Sequence, residues 1–381
     1  MFSLLLKGGR LLDPGSGLDQ TADIAFADGR VAAIDRTIPP SAAERTVEAA
    51  GRIVAPGLID LHTHVYWGVT ELSVDVDSTC LARGVTTTLD TGSAGWVTFP
   101  GFREYVIKRA RTRVYALLNI APGGMLTFYP KLLYGNLEFS DVVDAIRVAQ
   151  ANREYIKGIK VLMSGHYTGA RGLQPLWIAR FAADKAEIPL MVHIGNTPAP
   201  LPEVLAVLRR GDIITHCCNG LANGILGYDG RLLPQVVEAA ERGVIFDVGH
   251  GSGSFRFAVA QIALEQGLRP TISTDLQSLA VNGPVFDFTT TMSKFLALGL
   301  SLTEVVRLST TEPARALGEE KDLGTLRRGA AGDAVVLETR EGRFEFRDSH
   351  DNVLIGSTKL EPWLVVRDGH VVTASQEPAR V

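Results

Sequence analysis

Short apolar runs alternate with helix-period stretches through the middle of the chain. Runs near 56–65, 86–92, 113–120, 156–162, 189–195, 212–217, 244–249 and 271–275 read as eight buried strands. Phe102 to Arg111, Asp141 to Ala151, Pro175 to Ala186 and Pro234 to Arg242 carry apolar residues at helical spacing between them. Ser301 and Glu304 have the spacing of a capping box and open a late helix. Strands alternating with helices predict a parallel sheet, and eight of them favour a closed barrel over an open sheet. Both ends of the chain read differently. Ile24-Ala25-Phe26 and Val31-Ala32-Ala33-Ile34 flank Asp28-Gly29, a hairpin turn signal. Ala334-Val335-Val336-Leu337 is a further strand candidate, and Leu364-Val365-Val366 and Val371-Val372 flank a second Asp-Gly at 368–369. The expected architecture is therefore a (β/α)8 TIM barrel over 55–321. A small composite β-sandwich is expected from 1–54 and 322–381.

Length agrees with this pattern. A lone barrel takes about 250 residues, and 381 leave room for one accessory unit. The 38 basic residues against 42 acidic ones give a net charge of -4, so no basic surface invites nucleic acid. Three cysteines, Cys80, Cys217 and Cys218, form no disulfide framework and suit a reducing cytoplasm. The apolar N-terminal run has no basic flank, so no signal peptide is expected. No stretch reaches the roughly 20 apolar residues of a membrane span.

The chemistry concentrates where predicted strands end. In Leu61-His62-Thr63-His64-Val65 the two histidines lie two residues apart and point to one face. Two imidazoles converging at a barrel mouth can hold one metal, although a lone pair also occurs as packing. His193, His216 and Asp275 end the fifth, sixth and eighth strands, and Lys160 lies near the end of the fourth. Each follows apolar strand residues at the face where barrel enzymes build their sites. Burial of such groups is costly unless they are paired or bind metal. Six unrelated, satisfied polar residues remain the bland alternative.

The stretches APGLIDLHTHVY, LARGVTTTLDTGSAG, GIKVLMSG, THCCNG, FDVGHGSGSF, ISTDL, TTMSKFLALG and TEPARALG resemble the amidohydrolase superfamily. The similarity is to its amidohydrolase/deacetylase, dihydroorotase-like branch and runs over nearly the whole length. It implies two divalent metal ions, with zinc the expected element. His62, His64 and Asp275 would hold the more buried ion, and His193 and His216 the second. Lys160, as a carbamate, would bridge them; Lys157 is a nearby competitor. A bridging hydroxide would attack the substrate carbonyl, and Asp275 would move the proton to the leaving group. A carbamate exchanges a repelled ammonium for an anion with two ligand oxygens, and lysine yields the neutral amine readily on burial.

Weaker claims attach to Tyr66, Arg171 and His250 as substrate contacts. Each has a competing reading as a packed ring, a solvated cation or an exposed loop histidine. Asp90 is a candidate support for the ligands, Cys217 and Cys218 read as packing, and His350 and His370 fall in the β unit away from the mouth. The GHGSGS stretch lacks a phosphate-loop lysine and is no nucleotide loop. The resemblance implies cleavage of an amide or ester bond in a small acylated acid, an N-acyl amino acid or an O-acetyl 2-hydroxy acid. A cyclic amidase of dihydroorotase or hydantoinase type is the alternative, and a non-catalytic relative the third reading. Dihydroorotases carry an arginine two residues after the His pair, where this chain has Tyr66. Family analogy leaves a homo-oligomer open.

Overall fold

The computed structural model describes residues 1–127, 133–134 and 142–374. Five strands come first: β1 (Leu4–Asp13), β2 (Leu18–Ala27), β3 (Arg30–Asp35), β4 (Thr46–Glu48) and β5 (Ile53–Pro56). Seven follow in the central region: β6 (Leu58–Thr63), β7 (Val85–Gly95), β8 (Arg113–Asn119), β9 (Ile156–Leu162), β10 (Leu190–His193), β11 (Ile213–Thr215) and β12 (Ile245–Asp247). The chain returns with β13 (Ala334–Arg347), β14 (Val353–Arg367) and β15 (His370–Ala374).

Strands β6 to β12 lie side by side in chain order, all parallel. The expected eighth strand closes the barrel without becoming a regular one. Residues 271–276 touch their neighbours through two parallel bridges, Asp247 with Thr271 and Thr63 with Leu276. The physical reason is local. Thr274 spends its N–H on the Asp60 carboxylate at 3.0 Å, not on a strand ladder. Asp275 then turns to φ 49°, outside the extended region.

The helices cover the barrel's outer face much as the periodicity predicts. They run over Val142–Ala151, Gln174–Ala186, Pro234–Glu241 and Leu302–Ser309, and the expected starting residue Asp141 lies outside the described residues. Ser301 and Glu304 form the reciprocal capping box. The helix expected from Phe102 to Arg111 is different. An α-turn over Phe99–Phe102 passes into a π-helical stretch over Arg103–Ile107. It begins early because Pro100 suits a first helical turn, where no N–H is needed.

The two chain ends build one hydrogen-bonded sheet in the order β15-β14-β13-β5-β1-β2-β3, with β4 beside β1. Strand β5 belongs to this sheet, so the passage into the barrel falls at Gly57. In place of two facing sheets, this single sheet encloses a core of its own, including Leu4, Leu6, Ile24, Phe26, Val54, Val336 and Leu364. Both Asp-Gly pairs are two-residue turns with positive φ at each position, 51° and 72° at Asp28-Gly29, 49° and 74° at Asp368-Gly369. The β13–β14 hairpin extends beyond the sheet and packs on the helix Phe288–Ala297. No described helix is long and apolar enough to cross a membrane.

Candidate metal centre

The C-terminal ends of the parallel strands converge on one cavity of about 330 Å3. Its lining includes His62, His64, Lys160, His193, His216 and Asp275, so the fold brings all six candidate ligands together. His62, Lys160 and His216 are each 1% exposed. Ligand atoms of His62, His216 and Asp275 lie within 4.8 Å of one another. Asp275 Oδ1 is 3.5 Å from His62 Nε2 and 3.3 Å from His64 Nε2.

The remaining ring nitrogens are held by the protein, which decides which nitrogen is free. His216 Nδ1 is 2.7 Å from Gly249 O, and a carbonyl only accepts, so Nδ1 carries the proton and Nε2 keeps its lone pair. Thr215 Oγ1 donates to the Asp247 carboxylate at 2.7 Å and so accepts from His62 Nδ1 at 2.8 Å. His64 Nδ1 meets Ser93 Oγ at 2.9 Å, and the Asp90 carboxylate accepts from the Ser93 and Val65 N–H groups, both at 2.8 Å. His193 engages Ser164 Oγ through Nε2 at 2.9 Å, leaving Nδ1 free. These are the outer partners that orient metal-binding imidazoles.

Electrostatics point the same way. Burial lowers the basicity of His62, His193 and His216, the last to about 4, so the rings are neutral ligands near neutral pH. Burial also pulls the Lys160 amine down to about 7, with Asp275, Asp247 and Asp90 opposing the fall. Lys160 Nζ lies 3.3 Å from Met191 Sδ. Lys157, the competitor, is committed elsewhere, paired with Glu319 and lying 4.5 Å from the Tyr115 ring centroid.

Two of the candidates sit in backbone conformations that side chains rarely adopt, His216 at φ 66° and Asp275 at φ 49°. Such outliers persist where the surroundings over-determine them, commonly at functional sites. The glycines of the 249–254 loop allow close approach. A carbon added at Gly249 would lie 2.4 Å from Thr215 Oγ1 and 2.9 Å from His62 Nδ1.

Tyr66, Arg171 and His250 are not among the residues lining the cavity. Tyr66 packs on Phe102 with ring centroids 4.7 Å apart and donates to Thr98 O at 3.1 Å, off the cavity. Arg171 lies in the turn Gly169–Arg171, also off the cavity lining. His250 is fully buried, with its Nε2 2.7 Å from Lys294 Nζ. The mouth-facing period at 62 and 64 does not continue to 66 because β6 ends at Thr63. Cys217 and Cys218 are buried free thiols, as packing residues should be. His350 is nearer the mouth than its sequence position suggests, its Nε2 3.3 Å from Asn219 O. Lining residues without a sequence signal of their own include His166, Tyr167, Asn196 and Gln277. The hydroxyls of Ser93, Ser164 and Thr215 carried a faint one, since each falls near a strand end beside a candidate ligand.

A parallel barrel with imidazoles, a lysine and an aspartate converging at its mouth is a potential divalent-metal centre. The amidohydrolase family model matches residues 53–372, and the chain belongs to that family. It is a hydrolytic enzyme acting on C–N bonds. A relative named deacetylase from Brucella anthropi is 34% identical over 360 residues, 94% of this chain and 89% of the relative. A dihydroorotase from Geobacter sp. is 25% identical, over 88% of this chain and 89% of the relative. Among solved structures, one titled as an adenine deaminase superposes with a TM-score of 0.90 at 30% identity, covering 97% of this chain and 99% of its own. One titled as a dihydroorotase gives 0.88 at 33% identity, covering 98% and 99%.

Proposed function

We propose that the protein hydrolyses the amide or ester bond of a small acylated acid, an N-acyl amino acid or an O-acetyl 2-hydroxy acid. The observation that carries the reading is the convergence of four imidazoles with Lys160 and Asp275, each imidazole held through its other nitrogen. Neutral, oriented lone pairs and a carboxylate fit divalent ions, zinc in this reading. His62, His64 and Asp275 would hold one ion, His193 and His216 a second, with Lys160 between them as its carbamate. Bound there, the ions would supply an acidified water and a Lewis acid for the carbonyl. The lowered basicity of Lys160 favours the neutral amine that adds carbon dioxide. Asp275 Oδ1 faces both His62 and His64, which supports Asp275 as the acceptor of the water proton. Returning that proton to the leaving group matters more for an amine than for an alkoxide, so the site suits both bonds.

The cavity restricts the acid. Among the described residues that line it there is no arginine, and His166, Asn196, Ser252 and Ser254 offer neutral donors for a carboxylate. Leu72, Met125, Leu162 and Leu221 offer apolar contact for a side chain. The relative named deacetylase is 34% identical and the Geobacter relative named dihydroorotase 25%, which supports a linear acyl substrate, while the structure titled as a dihydroorotase, at 33%, keeps the cyclic imide as the alternative the assay must separate. Three buried, unpaired cysteines fit a reducing cytoplasm.

The test is metal analysis of the purified chain, paired with hydrolysis of N-acetyl-D- and L-amino acids, acetylated 2-hydroxy acids, dihydroorotate and hydantoins. Two ions per chain and chelator-sensitive release of acetate are expected, with a mass increase of one carbon dioxide on Lys160. Ring opening alone moves the function to a cyclic amidase. A chain that takes up no metal in the presence of zinc and bicarbonate overturns the reading.

A further inference from the structure

Lys294 carries a buried amine that this chemistry leaves unused. It lies on the helix Phe288–Ala297, 1% exposed, and does not line the cavity, so its amine is sealed from substrate. Burying a lysine for its stem alone is costly, and an apolar residue would fill the same space. The amine is spent on two acceptors, His250 Nε2 and Pro284 O, each at 2.7 Å. His250 is itself fully buried and stacks on Phe255, centroids 4.4 Å apart. Its Nδ1 lies 2.9 Å from Gly251 O.

These contacts allow one direction only. A carbonyl oxygen accepts, so His250 Nδ1 carries the proton and Nε2 accepts from Lys294. Burial pulls the Lys294 amine down to about 7, against the pull of Asp348 and Asp287, and a neutral amine still has two protons for two acceptors. The chain ends at Gly251, where the backbone is pressed against the active site. Gly251 has φ 55°, donates its N–H to Thr274 O at 2.9 Å, and has no room for a side chain. A carbon there would lie 2.3 Å from Asp275 Oδ2. The next three residues, Ser252, Gly253 and Ser254, line the cavity. A second clamp comes from the terminal sheet. Ser349, in the turn between β13 and β14, places its Oγ 2.9 Å from Gly251 O and 3.2 Å from His250 O.

We infer that Lys294 is a positioning residue: through His250 it fixes the Gly251 peptide against Asp275 and sets the Ser252–Ser254 wall, with Ser349 as the opposing clamp. This rests on Asp275 as the proton acceptor. The terminal sheet thereby takes part in the site without touching substrate.

The experiment uses the full chain with Lys294→Met, His250→Phe, the double variant and Ser349→Ala. His250→Phe keeps the ring on Phe255 and removes both nitrogens. Three readouts are taken: amide hydrogen exchange over residues 249–255, metal content, and kcat and KM for an acetylated substrate. In Lys294→Met, exchange over the loop rises about tenfold, metal content holds, and kcat falls roughly 10–100-fold with KM little changed. Because the two groups act in series, the double variant is no worse than His250→Phe. Ser349→Ala moves exchange in the same direction by less, and stands in if Lys294→Met does not fold. Unchanged loop exchange overturns the inference. So does a fall in kcat that only tracks lost metal or lost fold, or additive effects in the double variant. Exchange needs no substrate, so a chain that cleaves nothing would sink the proposed function and leave the Lys294 test intact.

Discussion

At the base of the barrel, Arg113 Nη1 lies 2.5 Å from Asp333 Oδ2, and Arg367 approaches the other oxygen at 3.2 Å. At the mouth, Asp60, Asp90 and Asp247 are just as buried, yet threonine and serine hydroxyls and backbone N–H groups satisfy them. The base closes its charges in pairs. Burial would lower Arg113, but Asp333 more than offsets it and holds the guanidinium charged. The mouth keeps imidazole lone pairs and one carboxylate facing a cavity. Desolvated charge marks both regions, so burial alone does not separate structure from function. What separates them is whether the partners already cancel.

The comparison breaks most sharply at Asp275. Asp275→Asn should cut kcat by roughly 10²–10⁴-fold while the melting temperature changes little. Turnover near that of the wild type would show that the mouth carboxylate is as structural as Asp333. One layer out, Thr215→Val keeps the shape but takes away the acceptor for His62 Nδ1. Metal affinity should weaken by roughly 10–100-fold, measured by competition with a chelator. No change would mean that His62 needs no orienting partner. The base should respond in the opposite currency. Asp333→Asn leaves Arg113 and Arg367 with only Asp368 as an acidic partner and should cost roughly 1–3 kcal/mol in denaturant unfolding, with kcat/KM unchanged. A loss of turnover without a loss of stability there would erase the distinction between the two ends.

The smallest effect concerns the β13–β14 turn and appears only in acid. Burial alone would raise Asp348, but the Asn352 side chain and the N–H groups of Phe257, His350 and Asn352 outweigh it and hold the carboxyl below its ordinary value. A depressed carboxyl stabilises the fold fully above its unfolded value of about 3.9, and the contribution is lost as pH falls through the folded value. Below about pH 4 the wild type should therefore lose stability more steeply than Asp348→Asn. Parallel pH–stability curves for the two proteins would remove that role.

Local pattern and strand-end chemistry singled out six candidate ligands that the fold gathers around one cavity, and the family resemblance gave them their roles. A strand alternates sides, so His62 and His64 had to point together, and a barrel opens at its strand ends, so His193, His216 and Asp275 had to meet them. The paired Asp-Gly turns were equally local, because positive φ at two successive positions is written in the residues themselves. Tyr66 shows where local reasoning stops. It continues the period of the His pair, but the strand ends at Thr63, and contact with Phe102, 36 positions away, decides where the ring goes.

Tertiary structure alone decided that the eighth strand is only bridged, since Asp60 takes the Thr274 N–H from 214 positions away. It also set His250 against Lys294, and carried Ser349 from the terminal sheet to the loop beside Asp275. The sequence by itself determined which atoms could bind and roughly where each would lie. Which of their lone pairs stay free depends on donors and acceptors far away in the chain, and only folding brings those into contact.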